Sequence, residues 1–170
     1  MRLTEEQFKA LTGKSYKGKK KKTTTSGSPD SPRSNVKGWR TIGKQKCYFR
    51  SLWEINYACY LEFLKRNKEI RDWVYEPKLF RFPKDDYNAG PFMYKPDFHV
   101  TELSKLRRWH EVKGWMNPSS KKKIKRFHKH FPEEGEIFII SSAWFAQARK
   151  KNLHKIIPGW ETLKSNQVTV

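Results

Sequence analysis

At 170 residues, with 37 Lys and Arg against 17 Asp and Glu, the chain carries a formal net charge of +20 and a pI near 10.0. That length suits one compact domain with tails, and that charge favours a polyanionic partner, nucleic acid ahead of a membrane surface. No apolar run is long enough to span a bilayer and no secretory leader is legible. Cys47 and Cys59 form no CxxC pair, so neither a disulfide framework nor a thiolate zinc site is indicated, and a reducing cytoplasm is the expected setting.

From the amino end, Thr4-Glu5-Glu6-Gln7 fits a capping box, and Phe8 and Leu11 follow at helical spacing up to Gly13. A short helix is therefore expected within residues 1–13. Residues 14–38 read as a basic low-complexity arm, with Lys19, Lys20, Lys21 and Lys22 in a row before a Thr-, Ser-, Gly- and Pro-rich stretch. Such an arm can attract phosphates without sequence preference, or simply be a solvated linker.

The expected core covers 39–157. Trp39 to Phe49 predicts one or two short strands around Gly43. Arg50 to Lys65 predicts a helix capped by Ser51, with Trp53, Tyr57, Tyr60, Leu61 and Leu64 on one stripe and Ile55, Cys59 and Phe63 on a second. Glu54 lies among these apolar neighbours. A carboxylate there is costly unless paired or bound to metal, and both an ion pair with Arg50 and a metal site remain open on the residues alone. A turn is expected over 67–73, then a strand from Val74 to Phe82 with Pro77 near its start or at an edge. Pro83 to Pro91 reads as loop, and Asp85-Asp86 as a solvated turn.

Two further strands enclose a polar connection, Leu103 to Arg108. In the first, Asp97 and His99 share a face opposite Phe98 and Val100; in the second, Glu111 and Lys113 share a face with Trp109. A hairpin would bring Asp97 to Glu111 and Lys113. Two carboxylates and an ammonium on one patch suit phosphodiester chemistry: hard oxygen ligands hold Mg²⁺ or Mn²⁺, and a nearby lysine stabilises charge on phosphorus. A plain salt bridge on a solvated hairpin is the competing reading.

Beyond Gly114, Met116 to Ser120 predicts a helix start with Pro118 near it and Ser119 or Ser120 as N-cap. Ile124, Phe127 and Phe131 form its apolar stripe, and six Lys or Arg lie between Lys121 and His130 with no acid among them. Arg50, Lys121, Lys122, Lys125, Arg126 and Lys129 are the candidate phosphate contacts of the core, joined by the four arm lysines. Ile137 to Ile140 predicts a buried strand, Trp144 to Lys151 a last helix, and 158–170 a tail. His99, His110, His128 and His130 lack the spacing of a closed zinc site.

The pattern Pro96-Asp97…Glu111-Val112-Lys113 resembles the PD-(D/E)XK nuclease superfamily. With YFRSLWE (48–54), YEPKLFRFP (75–83), YKPDF (94–98) and HEVKGW (110–115) in order, it is similar to the phage endonuclease I branch of Holliday junction resolvases and related phage-encoded nuclease-like proteins. The likeness spans roughly 41–142. It implies an α/β fold, a small mixed β-sheet of four to five strands flanked by helices, the restriction-endonuclease-like core. It also implies metal ligation by Asp97, Glu111 and the Val112 carbonyl, Glu54 as the helix-borne catalytic glutamate, and Lys113 as the catalytic lysine. The expected function is a metal-dependent endonuclease on branched DNA, acting as a homodimer that exchanges elements between protomers, in the cytoplasm of a host cell. A duplex nickase and a non-catalytic nucleic-acid-binding module on the same fold are the alternatives.

Overall fold

Residues 36–83 and 91–162 are described by a computed structural model. The predicted helix within 1–13, Lys19 to Lys22, the Asp85-Asp86 turn and residues 163–170 lie outside the described residues. Strands β1 (Gly38–Ile42) and β2 (Gln45–Phe49) pair antiparallel, Ile42 opposite Gln45, so Gly43 and Lys44 make the connection. Gly43 takes φ +60, a conformation that calls for glycine, and a Cβ there would also displace the Glu62 carboxylate, 2.5 Å away. Helix α1 (Leu52–Arg66) follows, with Ser51 accepting a hydrogen bond from the Glu54 N–H as its N-cap, as the sequence predicts.

The centre is a four-stranded mixed sheet in the order β3 (Ile70–Tyr75), β6 (Phe98–Glu102), β7 (Arg107–Val112), β8 (Ile137–Ile140). The first two junctions are antiparallel. The β7–β8 junction is parallel, and its crossover contains α2 (Pro118–His130) and a 3₁₀ turn, Pro132–Glu134. The predicted α/β class, with a small mixed sheet and flanking helices, is thus observed. A two-stranded ribbon of β4 (Phe80–Arg81) and β5 (Met93–Tyr94) stands beside the sheet. Helices α3 (Ser142–Lys150) and α4 (Leu153–Ile156) complete the order.

Both sheet faces are covered except at the edge strand β8, expected to be buried, where Phe138 and Ile139 are exposed. On one face, Phe98, Val100, Val112, Trp73 and Tyr75 pack with α1 residues Tyr57, Ala58 and Leu61 and with Phe145 of α3. On the other, Trp109 packs with Phe80, Phe82, Tyr94 and Phe127 of α2. The alternation of Phe98 and Val100 against Asp97 and His99 therefore separates two cores, not a core from solvent. Burying each of the large side chains contributes about 1.5–3 kcal/mol. The outer edge of β3 is served by Gln45, whose amide donates to Trp73 O (2.7 Å) and accepts from Tyr75 N (3.5 Å), which covers polar backbone an edge strand would otherwise present.

Several boundaries differ from expectation, beginning with β3, which starts at Ile70 inside the turn expected over 67–73. The stretch from Val74 to Phe82 is two strands in two sheets, because Glu76 adopts φ 44 and Pro77 offers no N–H, so the ladder breaks there. Helix α2 is capped by Asn117, which accepts from Ser120 N at 2.7 Å, with Pro118 at the first helical position. Helix α3 starts at Ser142, two residues early. The start of the expected tail belongs to the core: Asn56, fully buried, exchanges two hydrogen bonds with the Glu161 backbone (2.8 and 2.9 Å), and the Glu161 carboxylate pairs with Arg40 at 2.5 Å.

Candidate active site

Each acid is delivered by a different element. Glu54 comes from the first turn of α1, where the Ser51 hydroxyl caps the helix by accepting from the Glu54 N–H. The Ser51 hydroxyl donates to Glu54 Oε1 (2.9 Å), and the Arg50 N–H and Tyr75 hydroxyl donate to Oε2 (2.9 and 2.7 Å). The side-chain ion pair with Arg50 does not form. The Arg50 guanidinium goes to Glu76, which also takes Lys95 at 2.7 Å. Glu54 is thus held by local geometry as well as being a site candidate.

Asp97 immediately precedes β6, and Glu111 lies in β7. Extending the register Phe98 opposite His110 by one pair sets Asp97 opposite Glu111, so the predicted hairpin and juxtaposition are present. Asp97 is 6% exposed and Glu111 4%. Asp97 Oδ2 accepts from the Val112 N–H at 2.8 Å. Glu111 Oε1 lies 2.8 Å from Lys113 Nζ, and Oε2 accepts from the Tyr94 hydroxyl at 3.0 Å. Tyr94 is itself seated on Phe127 of α2, ring centroids 5.8 Å apart and nearly perpendicular, so the lysine-rich helix braces the hydroxyl that orients Glu111.

The electrostatics follow from burial and crowding. Desolvation first, then the charges of Glu111 and Glu54, push the Asp97 carboxyl well above its ordinary range; Lys113 and the Val112 N–H only partly oppose this. Burial works against the Lys113 ammonium, but Glu111, Asp97 and Glu54 outweigh it and raise its pKa, so the lysine stays charged. Tyr75 and Tyr94 are raised by burial and by the carboxylates they bond, and remain phenols that donate. On the opposite sheet face, burial lowers His110 to about 4, leaving it neutral beside the Tyr57 hydroxyl at 2.7 Å.

The structure brings Asp97, Glu111 and Lys113 together by contact and pairing, and Glu54 into their field. Among the described residues no three His, Cys, Asp or Glu side chains converge as a ready-made metal cluster. Both oxygens of Glu54 are occupied, by Ser51, the Arg50 N–H and Tyr75. The donor chemistry nonetheless suits a divalent ion: the buried Asp97 and Glu111 have one ammonium between them, and the charge of Glu54 reaches Asp97 and Lys113, an imbalance that a bound cation offsets.

Of the candidate phosphate contacts, Lys121, Lys122, Lys125 and Lys129 are exposed on α2 and Arg50 is exposed beside Glu54. Arg126 is turned inward, 5% exposed, donating to Pro91 O and Pro83 O (3.0 and 3.2 Å) over the Phe82 ring. It is a tie between α2 and the β4–β5 ribbon, not a phosphate contact. Sequence reasoning missed Tyr75, Tyr94 and the Glu76–Lys95 pair. Their only sequence signal is adjacency, Tyr75-Glu76 before Pro77 and Tyr94-Lys95 before Pro96-Asp97.

A groove of about 210 Å³ lined by Ile42, Gly43, Cys59, Glu62 and Pro158 lies at the far half of α1, away from the acids. Among the described residues no helix is long and apolar enough to cross a membrane. No curated protein and no solved structure matches the chain. Residues 38–150, which include both sheet faces and all four site residues, match the model of a family described as a protein of unknown function, DUF1064, and the chain belongs to that family.

Proposed function

We propose that this protein is a divalent-metal-dependent DNA endonuclease that hydrolyses phosphodiester bonds, with branched DNA as its preferred substrate and a homodimer as its working form. The observation that carries the reading is the buried, charge-unbalanced meeting of Asp97, Glu111 and Lys113 within the field of Glu54. Proteins bury like charges together at a cost, and functional sites are where that cost is most often met. Asp97, Glu111 and the Val112 carbonyl would hold Mg²⁺ or Mn²⁺, with Glu54 supporting the ion or its waters. When bound, such an ion activates a water and offsets charge on the scissile phosphate.

The chain's own residues have distinct tasks. Lys113, kept protonated by the surrounding acids, donates to a phosphate oxygen or to the attacking water and is not a general base. Tyr94 and Tyr75 fix the carboxylates of Glu111 and Glu54 through their hydroxyls. The exposed lysines of α2 draw the nucleic-acid backbone toward the sheet. The resemblance to junction-resolving endonucleases supports the branched substrate and the dimer, since paired cuts need two sites. A linear-duplex nickase is the enzymatic alternative. A purely binding role suits the +20 charge equally but leaves the buried acids, which repel phosphate, without a purpose.

The test is nicking of supercoiled plasmid with Mg²⁺, against EDTA and against Asp97→Ala. Cleavage is expected only for the wild type with metal. Equal cleavage by the variant removes the assignment. Equal cutting of a four-way junction and of duplex with the same sequence removes the branched preference.

A further inference from the structure

The β1–β2 hairpin has an outer face that the catalytic reading does not use. Trp39 and Tyr48 are cross-strand partners on it, 62% and 42% exposed, with ring centroids 5.7 Å apart at 75°. Lys46 lies on the same face with its Nζ 5.8 Å from the Trp39 ring centroid. From Val36 to Arg50 the sequence holds Lys37, Arg40, Lys44, Lys46 and Arg50 and no acid. Arg40 and Arg50 are paired with Glu161 and Glu76, so the charge this face offers comes from Lys46 and its lysine neighbours; a wide aromatic surface left in water beside it is a poor arrangement for a monomer's own stability and a good one for stacking bases while holding phosphates.

Placement sharpens the argument. The hairpin's turn, at Gly43, lies against Glu62 in the far half of α1. Its open end, with Trp39 and Tyr48, runs into the acids: Arg50, two residues past Tyr48, gives its backbone N–H to Glu54. At about 3.3 Å per residue, the ring pair begins within about 7 Å of chain from that contact.

We propose that the Trp39–Tyr48 face is a stacking platform for an unpaired nucleic-acid strand, delivering the adjoining backbone to the acid pocket. The inference rests on the chain acting on nucleic acid, but not on its cutting it. Bases in duplex are stacked on each other and offer these rings nothing; bases in a tail, gap or branch do. The platform therefore selects for unpaired segments next to the site, while the α2 lysines serve paired and unpaired DNA alike.

Binding is measured in EDTA, by fluorescence anisotropy, for a labelled duplex with a single-stranded oligo-dT tail and for a blunt duplex of the same total length. The wild type is expected to favour the tailed probe by tenfold or more. Losing one stacked base weakens binding by about five- to 150-fold, so Trp39→Ala and Tyr48→Ala are each expected to erase most of that preference and leave blunt-duplex affinity unchanged. Trp39→Phe, which keeps a ring, is expected to retain most of it. Tailed-probe affinity in Trp39→Ala equal to wild type overturns the proposal, as does a parallel loss on both probes. So does sedimentation in which the wild type is dimeric, Trp39→Ala is monomeric and tail preference persists, since the face would then bind a second copy. Because EDTA suppresses metal-dependent cutting, a failed nicking test leaves this result standing, and a failed binding test leaves the acid pocket standing.

Discussion

Asp97→Asn should make the metal-free protein more stable and inactive together. Asp97 precedes Phe98, whose ladder partner is His110, and opposed residues of an antiparallel pair have Cβ atoms about 5 Å apart, which sets the scale of its separation from Glu111. Two unit charges about 5 Å apart repel by about 3 kcal/mol at an effective dielectric of about 20. Lys113 and the Val112 N–H offset part of this, and asparagine keeps an oxygen for that N–H, so a net gain of about 1–2 kcal/mol is expected. In a chain of this size that raises the melting temperature by about 2–8 °C. The pH dependence has a defined direction. The Asp97 pKa is raised on folding, so wild-type stability from this group is fully present below the ordinary value of 3.8 and is lost as pH climbs through the folded value. The gap between variant and wild type therefore opens upward from about pH 4. Saturating Mg²⁺ should close it from the other side, adding about 2.7 kcal/mol to the wild type at a hundredfold excess over Kd and little to the variant. Thermal melts followed by circular dichroism in EDTA and in Mg²⁺, from pH 4 to 8, together with plasmid nicking, check all of this. A variant that melts at or below the wild type in EDTA at pH 8 refutes the account of Asp97 as a repelled carboxylate.

Tyr94→Phe removes the hydroxyl bonded to Glu111 and should cost about 1.5–3 kcal/mol in urea unfolding, with a fall of tenfold or more in initial cleavage rate. His110, lowered to about 4 by burial, contributes stability that is present above its ordinary value of 6.5 and drains away as pH falls toward 4, about 3 kcal/mol in all; His110→Gln should show a flatter urea midpoint over that window. Replacing Lys121, Lys122, Lys125 and Lys129 by alanine should reduce the salt slope of DNA affinity by up to about 3–4 with melting unchanged. Arg126→Ala should do the reverse, lowering stability by about 1–3 kcal/mol and leaving the slope alone, because its guanidinium serves two carbonyls inside the fold.

What the sequence yields and what it withholds divide along the range of the interactions. Ser51, the two apolar stripes of α1 and the alternation around Asp97 and Glu111 are local patterns, and the helix, the hairpin and the meeting of Asp97, Glu111 and Lys113 follow from them. The left-handed Glu76 is set by a sheet that ends there, so the Val74–Phe82 run conceals its break. Tyr75 and Tyr94 act through hydroxyls that cross 21 and 17 residues of chain, and their adjacency to Glu76 and Lys95 does not say which carboxylates they bond. Arg126 shares its stretch with exposed lysines and is distinguished only by carbonyls at Pro83 and Pro91. Glu54 shows the converse. Its apolar surroundings are legible, yet the hydrogen bonds that occupy both its oxygens come from Tyr75 as well as from Ser51 and the Arg50 N–H.

The clasp between Asn56 and Glu161 joins positions 105 residues apart, across almost the whole described chain. The buried Asn56 amide, in the first half of α1, must wait for backbone 105 residues further along the chain, and closing so long a loop is slow. The helix that supplies Glu54 therefore reaches its final packing only once Glu161 is in place, so the acid pocket matures only after nearly all of the described polypeptide has been made.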